Sequence, residues 1–202
     1  MRKSFPKMVE VIPEGSLGEA SVTHFEVTPE DAQFTLLRAV AKGRPQEFVY
    51  PGHYARLQVR HCLMMTDTQM ERKTNAEFLR RARGKVLVAG LGLGMILHPI
   101  LQADDVTSVL VVEKYKDVID LVGPHVRQFP GADTKLKIVQ GDIFEWKPDL
   151  SDLPFNSIYF DIWACQSPDT LVEMKKLHRR AAKWKAPGCW VASWKVAGFK
   201  CR

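Results

Sequence analysis

The residues of this 202-residue chain best suited to chemistry are a glycine turn and three acids. The turn is Gly90-Leu91-Gly92-Leu93-Gly94, between the apolar run Val86-Leu87-Val88-Ala89 and Met95-Ile96-Leu97-His98. Glycines in a strand-to-helix turn allow positive φ and let a ligand approach the backbone closely. A helix opening there would aim free N–H groups and its positive dipole end at the same ligand. The acids are Glu113, Asp142 within Gly141-Asp142-Ile143, and Asp161 within Tyr159-Phe160-Asp161-Ile162-Trp163. A carboxylate about 20 residues past such a turn can accept both ribose hydroxyls of a nucleoside. A second can accept an adenine amino group. A third, beside the group being transferred, can orient or deprotonate a nucleophile. One acid alone would read as a helix cap or a solvated charge; the set in register favours a nucleotide-like cofactor.

These residues need a scaffold that brings them together. Apolar, β-branched runs at 85–89, 106–112, 136–139, 157–160 and 189–193 alternate with helical or loop segments. Near-continuous apolar strands alternating with helices predict an α/β fold: a Rossmann-like, mostly parallel sheet with helices on both faces. Ligands in such folds bind beyond the carboxyl ends of the strands. The glycine turn and the three acids each follow a run. Ahead of the first run, residues 67–83 read as a helix closed by Gly84. Residues 1–66 read as a small β-rich segment with one helix. Its strands are expected at 17–27, 46–50 and 54–65, with Pro51-Gly52 as a turn. Thr28-Pro29 starts the helix as N-cap and first helical residue, and the helix runs to about Ala41 and stops at Gly43. The expected organisation is thus 1–66 followed by a nucleotide-binding domain over 67–202.

The net charge of +6 is unevenly placed. Residues 175–202 hold nine Lys/Arg and no acid, leaving 20 basic against 23 acidic groups elsewhere. Trp184, Trp190 and Trp194 interleave with those charges. Basic residues among aromatics can bind nucleic acid; a solvated helix face followed by a core strand is the simpler reading. No run approaches a membrane span, and Met1–Lys7 lacks the apolar stretch of a signal peptide. Cys62, Cys165, Cys189 and Cys201 show no CxxC pairing, which fits reduced thiols in a cytoplasmic protein. Cys165, near the predicted site, reads as a small buried residue rather than a nucleophile. The six histidines form no metal-binding pattern, so no metal is expected.

The spacing distinguishes two cofactors. A dinucleotide turn has a small residue at its sixth position, where this chain has Met95. That disfavours a nicotinamide-dependent oxidoreductase. The GxGxG spacing with its acids resembles the class I S-adenosylmethionine-dependent methyltransferases over about residues 67–194. The β-rich segment before it, and the acidic helix start Asp67, Glu71 and Asn75, resemble the spermidine-synthase-like branch. Asp67, Glu71 and Asn75 share one helix face at i, i+4, i+8. The resemblance implies S-adenosyl-L-methionine held by Gly90, Leu91, Gly92, Leu93, Gly94, Glu113, Lys114, Asp142, Ile143 and Asp161. Asp161 would also face the acceptor as the catalytic base or orienting group.

The chain departs from that branch in three places. Aminopropyltransferases carry a second acid three residues after the Asp of the fourth strand; here that residue is Ala164. The Asn/Asp-Pro-Pro-aromatic motif of enzymes that methylate nucleic-acid amino groups is missing from Asp161-Ile162-Trp163-Ala164. Little sequence follows the fifth run, so the usual closing β-hairpin is expected to be absent or replaced by the N-terminal segment. The expected activity is therefore S-adenosylmethionine-dependent transfer, most simply methyl transfer, to an unidentified small-molecule acceptor. The alternatives are a non-catalytic adenosyl-ligand or nucleic-acid binding module, and an aminopropyltransferase. A homodimer is compatible with this organisation.

Overall fold

The computed structural model describes residues 4–45, 48–165 and 167–194. Its larger sheet has five parallel strands, β5 (Gly84–Ala89), β6 (Val106–Glu113), β7 (Leu136–Gln140), β8 (Phe155–Phe160) and β9 (Lys185–Ser193). Their spatial order is β7-β6-β5-β8-β9. Strand β5 therefore lies between β6 and β8, and the chain changes direction at its carboxyl end. Helices α2 (Gln69–Arg81), α3 (Leu97–Leu101), α4 (Lys116–Val126), α5 (Ala132–Lys135) and α6 (Pro168–Ala181) flank the sheet.

Alternate residues of the central strands enter two cores. Val86, Val88, Val109 and Val111 join the core that includes α4 and the N-terminal sheet. Leu87, Ala89, Leu110 and Val112 join the core beneath α6. Both faces are dry, which is why these strands read as unbroken apolar runs. Register places Ala89 beside Val112 and Phe160, and Glu113 beside Gln140. The strand ends are therefore level, and the residues that follow them share one rim.

The N-terminal part forms a separate four-stranded antiparallel sheet, β1 (Gly15–Leu17), β2 (Ala20–Val27), β3 (Gly52–Val59) and β4 (Cys62–Thr66). It does not extend the parallel sheet, so the expectation that it replaces a closing hairpin is corrected. Helix α1 (Pro29–Ala41) begins as expected, with Thr28 and Asp31 in a reciprocal capping box. Val22, Ala55, Leu57 and Val59 share a core with the parallel sheet, so this sheet packs onto the site rather than beside it.

Several boundaries move. The single strand expected at 17–27 is a hairpin turning at Gly18, whose φ of +53° needs glycine. A Cβ there would also lie 2.2 Å from Asp117 Oδ2. The strand expected at 54–65 is likewise two strands, turned by Arg60 and His61 at φ +50° and +63°. No glycine or asparagine marks that turn, so alternation alone concealed it. Phe48–Tyr50 are not in a strand, and the rest of the run expected there, Gln46 and Glu47, lies outside the described residues. Gly84 opens β5 instead of capping α2, whose C-cap is Ala82. No helix among the described residues is long and apolar enough to cross a membrane.

Candidate functional site

One pocket lies along the rim, floored by the ends of β5, β6 and β8 and roofed by the β3–β4 hairpin. Gly90 and Gly92 line it. All three glycines of the turn have positive φ, +95°, +54° and +73° for Gly90, Gly92 and Gly94. Their reasons differ. A Cβ on Gly90 would lie 2.1 Å from the Asp161 carbonyl oxygen, so glycine lets the ends of β5 and β8 meet. A Cβ on Gly92 would lie 2.6 Å from Met65 Sδ. A Cβ on Gly94 would lie 2.2 Å from Val126 Cγ1, which makes Gly94 a packing glycine facing α4. Leu91 and Leu93 are buried core residues that do not line this pocket and offer the site backbone only. The helix expected straight after the turn starts later: Met95 and Ile96 form a turn, and α3 has five residues. Pro99 sits inside it, and so short a helix supplies little dipole.

The carboxylate of Glu113 is not free at the strand end. Its Oε2 accepts the Leu91 N–H at 2.7 Å and its Oε1 the Tyr115 N–H at 2.9 Å. Glu113 thus clamps the glycine turn to β6. Burial raises its pKa, opposed by those backbone donors. The Lys114 backbone N–H also acts on this carboxylate, so little more than one acceptor position remains for a ligand. Asp142 accepts the Phe144 N–H at 3.0 Å and pairs with Lys114 Nζ at 2.9 Å. Burial alone would raise Asp142; the Lys114 and Phe144 hydrogen bonds outweigh it and hold the pKa below the usual value. Lys114, Asp142 and the buried Ile143 line the same end of the pocket as Glu113.

Asp161 lies at the other end, half-buried just past β8. Its backbone N–H is bonded to Ala89 O at 2.8 Å, which holds it against the glycine turn. No described residue donates a hydrogen bond to its carboxylate, and burial pushes its pKa up to about 7. Glu71 of α2 lines the same end. Burial, and then the Asp161 charge, push Glu71 up to about 8, against a hydrogen bond from Trp194. The Trp194 indole N–H is shared with the Thr74 hydroxyl at 3.1 Å. Glu173 of α6 completes the group and accepts the Trp163 indole N–H at 2.7 Å.

The shared helix face expected for Asp67, Glu71 and Asn75 is corrected: α2 starts at Gln69, so Asp67 precedes it, and of the three only Glu71 lines the pocket. Asp67 is buried and binds the Met8 N–H at 2.7 Å and the Ala55 N–H at 2.8 Å, which ties the N-terminal sheet over the site. Asn75 accepts the Tyr159 hydroxyl at 2.9 Å and donates to the Glu71 carbonyl at 3.0 Å. Sequence reasoning missed the roof residues Leu57, Met64 and Met65, and also Glu173. Met65 Sδ accepts the Leu93 N–H at 3.3 Å, so a thioether from β4 lies against the glycine turn. Their positions depend on how two sheets pack, for which the sequence carries no local signal.

Two further expectations change. Cys165 is exposed, not buried, because the loop after β8 runs outward. In the basic segment, Trp184 and Trp194 are core residues, and Trp190 stacks with Phe78 and Tyr159. Lys175, Lys176 and Arg179 form an exposed face of α6. Lys195, Lys200, Arg202 and Cys201 lie outside the described residues.

The pocket suits an elongated cationic ligand with hydroxyl and amino donors. Among the described residues its lining holds five carboxylates, from Glu71, Glu113, Asp142, Asp161 and Glu173, against Lys114, itself paired with Asp142. S-adenosylmethionine has that chemistry: a sulfonium and an ammonium offset by a single carboxylate, two ribose hydroxyls and an adenine amino group. Glu113 and Asp142 would take the nucleoside end, and Asp161 with Glu71 the cationic end.

No protein-family model matches the chain, and no curated protein matches it in sequence. Among solved structures, spermidine synthase from Thermotoga maritima is similar to 87% of this chain and 53% of its own, at 17% identity and TM-score 0.51. The glycopeptide N-methyltransferase MtfA is similar to 59% of this chain and 51% of its own, at 19% identity and TM-score 0.45. The chain spans about half the length of these structures. The strand order, the glycine turn at the switch point and the likeness to spermidine synthase along most of the chain agree: this protein has the class I S-adenosylmethionine-dependent methyltransferase fold.

Proposed function

We propose that this protein is an S-adenosylmethionine-dependent methyltransferase acting on an amine. The observation that carries the reading is the Glu71–Asp161–Glu173 end of the pocket, which carboxylates and two indoles line without a cation among the described residues. When bound, S-adenosylmethionine supplies a methyl group already activated by its sulfonium. The chain's own work is then mostly positioning. Asp161 holds the acceptor nitrogen and takes up its proton, for which a pKa near 7 is well matched. Glu71, mostly protonated before an acceptor enters, ionises against an incoming ammonium and then supports its charge. Trp163 and Trp194, both buried, exclude water from this end.

Aminopropyl transfer is the second reading. Ala164 removes the acid expected three residues after Asp161, but Glu71 brings a second carboxylate to the same end from α2. A thermal-shift series separates the readings. It would use S-adenosylmethionine, S-adenosylhomocysteine, methylthioadenosine, decarboxylated S-adenosylmethionine and NADPH. Ligand at about 100 times its dissociation constant stabilises by about 2.7 kcal/mol. Shifts with the adenosyl sulfur compounds alone support the proposal, and preference for the decarboxylated form selects aminopropyl transfer. No shift with any of them would refute both.

A further inference from the structure

Helix α1 is amphipathic in the inverse sense. Its small residues Ala32 and Ala39 are buried, while Phe34, Leu36, Leu37 and Val40 are 73%, 47%, 67% and 69% exposed. A helix on a globular surface ordinarily turns its large apolar residues inward and its charges outward. Single exposed apolar side chains need no explanation. Here Phe34, Leu37 and Val40 follow one another at i, i+3, i+6, and Leu36 adjoins Val40 at i+4, so they form one continuous patch. Contiguous apolar patches on soluble proteins mark interaction surfaces.

The charges on the same stripe indicate the occupant. Glu30 lies four residues before Phe34 and Arg38 four residues after it, on one helix face. Neither side chain forms an ion pair with another described residue. An element that is acidic at one end, apolar at its centre and basic at the other is complementary to its own copy turned end for end. That is the requirement of a two-fold, isologous contact, in which one patch serves both partners. An antiparallel crossing also opposes the two helix dipoles favourably. We propose that two copies of this chain associate through α1, crossing antiparallel with Phe34 at the two-fold axis and Glu30 of each copy against Arg38 of the other.

Sedimentation velocity of the 202-residue chain over a range of concentrations tests this. The chain is expected to dimerise. Phe34→Asp should weaken dimerisation by roughly 30-fold or more, as loss of a central apolar anchor does. Phe34 is exposed, so this variant keeps its fold, as its far-ultraviolet circular dichroism will show. Arg38→Glu should weaken the dimer by setting two acids against each other, and adding Glu30→Arg should restore it. A chain that is monomeric at every concentration overturns the proposal. So does a dimer insensitive to Phe34→Asp, or a charge-exchanged pair that fails to recover; the last two outcomes would place the contact on another surface.

Discussion

Glu71 and Asp161 reach one pocket from distant parts of the chain, and the Asp161 charge adds to burial in raising the proton affinity of Glu71. Each is an acid whose ionised form the fold disfavours, at the end of the pocket that faces an acceptor. Such groups destabilise a protein in its working range, and functional sites are where that cost is tolerated.

Stability should therefore depend on pH in a specific direction. Both groups bind protons more tightly in the folded chain than at their ordinary values of 4.5 for Glu71 and 3.8 for Asp161. Their contribution is complete below those values and is lost as pH rises through about 7 for Asp161 and about 8 for Glu71. Glu71→Gln removes one buried charge at nearly constant shape. It should melt higher than the parent above pH 8 by about 1–3 kcal/mol, a few degrees at this size, and the gap should close toward pH 4. Thermal midpoints measured from pH 4 to 9 decide it; a gap independent of pH would count against a buried, raised Glu71.

Asp161→Asn separates catalysis from binding. Turnover with an amine acceptor should fall by about 10²–10⁴, the usual contribution of a positioned general base. Affinity for S-adenosylmethionine should change by less than about tenfold, since the nucleoside end of the pocket is intact. Calorimetric titration beside single-turnover rates gives both numbers. Unchanged turnover would remove Asp161 from the chemistry.

Glu113 should show its double role in two variants. Glu113→Ala leaves the Leu91 and Tyr115 N–H groups without acceptors and should cost about 2–4 kcal/mol in a urea melt. Glu113→Gln keeps one oxygen for the turn and should be milder for stability. It should still lower S-adenosylmethionine affinity at least about tenfold through loss of a charged acceptor. A Gln variant that binds as well as the parent would restrict Glu113 to clamping the turn.

The glycines should divide by neighbour. Gly94→Ala meets the Val126 side chain at φ +73° and should cost about 1–3 kcal/mol with little effect on ligand affinity. Gly90→Ala meets the Asp161 backbone and should lower both stability and affinity, because it displaces the acid at the site. Thermal melts with and without S-adenosylmethionine distinguish them. Equal loss of ligand stabilisation in both variants would contradict the division.

Much of this was legible from local pattern. The central parallel strands β5, β6 and β8 appeared as apolar runs because both of their faces are buried, and Thr28-Pro29 marked the start of α1 because capping is local chemistry. The β3–β4 turn was hidden because Arg60 and His61 hold left-handed conformations without glycine or asparagine. Asp67 illustrates a different limit. The sequence pattern put it on a helix face with Glu71, whereas it lies ahead of α2, and only packing shows that its carboxylate is consumed by the Met8 and Ala55 backbone.

The sequence by itself determined the fold class, the glycine turn and the acids at the strand ends, because periodicity, turn chemistry and strand-end position are properties of neighbouring residues. Only the tertiary structure decided which of those residues are available to a ligand. Glu113 is partly spent on the Leu91 and Tyr115 backbone, Gly94 serves α4, and Met65 lies against the turn. Glu71 joins Asp161 through the packing of α2 against the sheet. Availability depends on desolvation and on which hydrogen bonds are already made, and both are set by contacts between segments far apart in the chain.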